Sequence, residues 1–163
     1  MSKLRRLLAV CIGLILVCGG SQLTATETIF AGVPVYSVMS TVDTDLSLPT
    51  IGANAFTPLN IPCPSTAGAN GCTFRVTVSA VISSTSPDAF LQVTTAPFMT
   101  VSPSPVIHIS VNAAVQAPYT MQWVIKNVPA GSAPEVQVIG ALSSGVAVLK
   151  QRTQSIDVFF GLL

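Results

Sequence analysis

Residues 72–83 read C-T-F-R-V-T-V-S-A-V-I-S. Phe74, Val76, Val78, Ala80 and Ile82 fall on one face of an extended chain. Thr73, Arg75, Thr77 and Ser79 fall on the other, because successive strand side chains point to opposite sides. Thr, Val and Ile also suit a pleated, half-buried surface. The stretch predicts a central strand with one face in a core and the other partly wet.

The same signal recurs outward along the chain. Residues 119–128 place Tyr119, Met121, Trp123 and Ile125 in line. Residues 106–111 set Ile107, Ile109 and Val111 against Val106, His108 and Ser110. Shorter strands are expected at 55–61, 89–95 (Phe90 inward with Leu91 or Val93), 98–101, 135–142, 146–150 and 155–160. Pro34 makes 33–42 an edge strand or the start of one. V-P-A-G-S-A-P at 128–134 and S-S-G at 143–145 read as hairpin turns. No amphipathic-helix pattern persists. About eight or nine short strands separated by turn residues predict an all-β, two-sheet antiparallel β-sandwich, immunoglobulin-like or jelly-roll. The expected core is Phe74, Val76, Val78, Ile107, Ile109, Met121, Trp123, Ile125, Val136, Val138, Ile156 and Val158. The pattern resembles that of small secreted bacterial sandwich proteins, and no motif in it belongs to a particular family.

The start of the chain reads as an export signal. Lys3, Arg5 and Arg6 precede an eleven-residue apolar run at 7–17, and small residues follow to Ala25. That order is a secretory signal peptide's, and the run is shorter than the roughly 18–20 residues of a membrane span. Residues 1–25 are therefore expected to be a leader, cut between Ser21 and Ala25, and 26–163 a single domain, secreted or periplasmic. A lipoprotein signal at Cys18 is disfavoured, since Val17 stands where a small residue is normal. Residues 26–163 keep four Lys or Arg and six Asp or Glu, a net charge of −2. Nucleic acid is an unsuitable partner, because neutralising phosphates takes a cluster of cations. Cys63 and Cys72 flank P-S-T-A-G-A-N-G, and an oxidising compartment makes a disulfide their expected state. No N-glycosylation sequon is present.

Chemistry-bearing groups are few. His108 is the only histidine. A hydrolytic triad would need it, yet no G-x-S-x-G elbow accompanies it. Asp43 and Asp45 could give a calcium ion two carboxylates, where six to eight oxygens are needed. No other cofactor is expected. Trp123 and Tyr119 on one strand face could stack on a sugar, or Trp123 could fill the core. Phe159, Leu162 and Leu163 make an apolar C-terminus suited to self-contact. The expected function is a secreted, non-catalytic structural or binding module: adhesion, surface assembly or extracellular recognition of a protein or glycan, with possible self-association. The alternatives are a carbohydrate-binding module using Trp123 and Tyr119, and a small hydrolase using His108.

Overall fold

The computed structural model describes residues 34–84, 89–96, 99–109 and 116–161. The expected signal peptide, Cys18, Val111, Leu162 and Leu163 lie outside them. Among the described residues eleven strands form: β1 (Tyr36–Val42), β2 (Leu46–Ser47), β3 (Ala53–Asn54), β4 (Leu59–Asn60), β5 (Cys72–Ser84), β6 (Ala89–Thr94), β7 (Thr100–Ser102), β8 (Val106–Ile109), β9 (Ala117–Val128), β10 (Glu135–Leu142) and β11 (Ala147–Phe160). Three of them are two residues long, which is why the sequence pattern alone suggests fewer.

The strands make two antiparallel sheets. One runs β1-β11-β5-β9-β7, with β2 also on β11, and the other runs β3-β10-β6-β8, with β4 also on β10. The pairs β1–β11, β3–β10, β5–β9 and β6–β8 nest inside one another like the two arms of a folded ribbon. That nesting is the jelly-roll order, with β7 inserted near the ribbon's tip. The immunoglobulin-like alternative is thereby excluded.

Among the described residues no strand pairs with its neighbour in the chain, so the two expected hairpins are not hairpins. The loop at 129–134 carries the chain from β9 in one sheet to β10 in the other, and the S-S-G turn carries it back to β11. Turn residues announce a reversal but do not say which sheet receives the next strand.

The inward residues of β5 are all buried, as alternation predicts. Trp123 and Ile125 of β9, Val136 and Val138 of β10, and Ile156 and Val158 of β11 meet them. Of the expected core only Ile107 stays half-buried. Phe90 differs from expectation. Ala89, Leu91 and Val93 take the inward positions of β6, and Phe90 lies half-buried on the outer face beside His108, ring centroids 5.8 Å apart. The 55–61 strand is also shorter than expected: Ala55 and Phe56 form a bend between β3 and β4.

Cys63 and Cys72 are bonded, and both are buried. The bridge spans the connection at which the chain leaves β4 in one sheet for β5 in the other. Next to it, Gly71 has φ +61°, and a Cβ there would sit 2.2 Å from the Val128 carbonyl oxygen. Only glycine tolerates both conditions.

β11 is one 14-residue strand rather than the two expected at 146–150 and 155–160. Its register against β5 slips between Lys150 and Thr153, where Gln151 takes φ +41°. This bulge changes which residues face the core. Ala147 and Leu149 point inward before it, and Gln154, Ile156 and Val158 after it. Arg152 is buried at the bulge. Its Nε donates to the Ala55 carbonyl at 2.5 Å and its Nη1 to the Thr44 carbonyl at 2.5 Å.

Candidate functional site

The outer face of the six-stranded sheet is built by the polar half of each alternation. Three rows cross it. Ser37, Asp157, Arg75 and Val124 are in register on β1, β11, β5 and β9. Met39, Ser155, Thr77 and Gln122 form the next row, and Thr41, Thr153, Ser79 and Thr120 the third. Side-chain hydrogen bonds run along the rows. Gln122 Nε2 donates to Thr77 Oγ1 at 3.2 Å, and the Ser79 and Thr120 hydroxyls lie 3.0 Å apart. Such cross-strand pairs stabilise a sheet while tying up the hydroxyls in a flat surface.

An ion pair sits in the first row of this face. Arg75 Nε and Nη2 both donate to Asp157 Oδ2, at 3.0 and 2.6 Å, and Ser37 Oγ donates to Oδ1 at 2.5 Å. Burial pushes the Asp157 carboxyl up, but hydrogen bonds from Ser37, Arg75 and Ser155, with the Arg75 charge, outweigh it and hold the group below its ordinary value. The Arg75 guanidinium also lies 5.3 Å from the Phe159 ring centroid.

The face ends at β1, an edge strand of sequence Y-S-V-M-S-T-V with no proline and no charge. Among the described residues only β11 pairs with it. Natural edge strands usually carry lysine, proline or a bulge that discourages pairing with another chain. Here Met39, 73% exposed, stands in the middle of the strand instead.

The residues singled out from sequence do not come together. Trp123 is fully buried, so its indole presents no face to a sugar, and Tyr119 is half-buried. His108 is exposed on the outer face of the five-stranded sheet. Asp43 and Asp45 are exposed, and Asp45 pairs with Lys150 at 3.5 Å. Among the described residues no three His, Cys, Asp or Glu side chains cluster as a metal site would require. Phe159 is buried, and Phe160 is the exposed member of that pair. Sequence alternation around residues 119–125 did indicate Trp123's side of the strand. No pattern marked Arg152 or Gln154, because each is a polar residue facing inward in a polar run.

The fold and the outer face define a jelly-roll sandwich with a hydroxyl-rich sheet. The chain matches no family model, and no curated protein matches it. Among the described residues no helix is long and apolar enough to cross a membrane.

Proposed function

We propose that this protein is an exported, non-catalytic structural module that assembles with copies of itself through the edge of β1 and the sheet face behind it. The uncharged, proline-free edge carries the proposal. Two copies related by a two-fold axis through Met39 would place β1 antiparallel to its own equivalent, Ser37 opposite Thr41 and Tyr36 opposite Val42. Such an isologous contact is the commonest way a single chain associates. It would extend the six-stranded sheet and continue the hydroxyl rows from one copy into the next. The Cys63–Cys72 disulfide supports an oxidising location. The burial of Trp123 weighs against a sugar platform on β9.

Sedimentation velocity across a hundred-fold range of protein concentration tests the assembly. Self-association that Met39→Lys abolishes, with an unchanged melting temperature, is the expected result. A wild-type chain that stays monomeric throughout would refute it.

A further inference from the structure

The bulge of β11, the end of β1 and the bend between β3 and β4 enclose an open pocket of about 370 Å³, with Asn54, Phe56, Thr57, Pro58 and Arg152 among its walls. Its chemistry is set by one cation. A guanidinium carries five N–H groups in a fixed fork. In Arg152, Nε is held by the Ala55 carbonyl, and Nη1 by those of Thr44 at 2.5 Å and Leu149 at 3.5 Å. Among the described residues Nη2 has no hydrogen-bond partner, and it is not among the buried polar atoms that lack one. Its two hydrogens therefore open on the pocket. The Arg152 guanidinium also sits 6.0 Å from the Phe56 ring centroid, so ring and carbonyls fix its orientation.

The cation has no carboxylate of its own. Asp45 is near enough to act on it through space, but its oxygen is engaged by Lys150. A non-glycine residue at positive φ, Gln151, precedes Arg152 in the bulge. Bulges of this kind often re-aim a side chain beside a binding site. A pre-oriented fork with one free edge fits a carboxylate.

The geometry points to a binding site for a uronic acid, its carboxylate on Arg152 Nη2 and its ring hydroxyls on Asn54 and Thr57. The volume suits about one sugar ring, at the small end of ligand pockets. Asn54 and Thr57 are exposed and offer an amide and a hydroxyl, which a simple acidic side chain of a peptide would leave unused. The pocket shares Val42 with the end of β1, but its ligand chemistry rests on Arg152, Asn54 and Thr57, none of which lies on that edge, so it does not depend on self-association.

Titration of the isotope-labelled protein with glucuronate, glucose or blocked glutamate, at matched ionic strength, tests the site by amide and Arg152 Nε–H resonances. Glucuronate should shift residues 54–57 and Arg152 with a Kd in the range of about 1–10 mM, while glucose and blocked glutamate leave them in place. Arg152→Lys should weaken binding about tenfold or more. Thr57→Val, at an exposed position, should weaken it with no change in melting temperature, which keeps the test valid if the Arg152 variant folds poorly. Absence of shifts with glucuronate, or equal shifts with glucose, would overturn the site. Equal shifts with blocked glutamate would overturn the sugar assignment in favour of an acidic peptide. Binding that Thr57→Val leaves unchanged would also overturn it.

Discussion

Replacing Gln154 with methionine should stabilise the protein. Gln154 is 1% exposed on the inward side of β11, in register with Val78 of β5 and Ser40 of β1. Neither its Nε2 nor its Oε1 has a hydrogen-bond partner. A buried polar group left unmatched costs about 1–3 kcal/mol, because it gave up water and received nothing. Methionine has similar length and volume, and volume-conserving swaps typically cost less than about 1.5 kcal/mol. The relief exceeds the repacking cost, so a net gain of about 1–2 kcal/mol is expected. With a urea dependence of about 1–3 kcal/mol/M, the unfolding midpoint should rise by about 0.3–2 M with an unchanged slope. Gln122→Met is the control. Gln122 is exposed and bonded to Thr77, so its change should lie within about 0.5 kcal/mol. A midpoint that falls for Gln154→Met would refute the reasoning, and would show that the amide is engaged by an internal partner such as water.

The Cys63–Cys72 bridge closes a loop with a sequence separation of 9. By loop entropy its removal should cost about 2–3 kcal/mol, and Cys63→Ser/Cys72→Ser should melt about 5–10 °C lower. An unchanged melt would mean that the bond is absent in the folded protein. Asp157 gives a pH dependence. Its folded pKa lies below the ordinary 3.8, so its contribution is fully present above that value and is lost as pH falls through the lowered one. Urea unfolding at pH 6 and at about pH 2.5 should show a larger acid-induced loss for wild type than for Asp157→Asn. Equal losses in the two proteins would contradict the pairing with Arg75.

The sandwich was legible wherever alternation was clean. β5 has apolar and polar residues on strictly opposite faces, and the pattern gave both its orientation and its core residues. β11 was read as two strands because Arg152 and Gln154 turn polar groups inward at the bulge, which a hydrophobicity period has no means to signal. The sheet order was not legible either. The same turn residues serve a hairpin within one sheet and a crossing between two. The two-residue strands β3 and β4 are held by pairing with β10 rather than by any pattern of their own. Of the surface, the hydroxyl rows could be anticipated from the outward half of β5. The Arg152 pocket could not, since it joins residues from β1, the bend after β3 and the β11 bulge.

Among the described residues the first strand of this sandwich finds its partner in the last, β1 against β11, and no two consecutive strands are mates. Apart from β6 and β8, which pair across residues 95–105, the sheets join strands far apart in the chain. The six-stranded layer stays incomplete until the C-terminal strand is available, and topologies so rich in distant pairings fold slowly. The six-stranded layer is thus the last part of the sandwich to be completed as the chain is made.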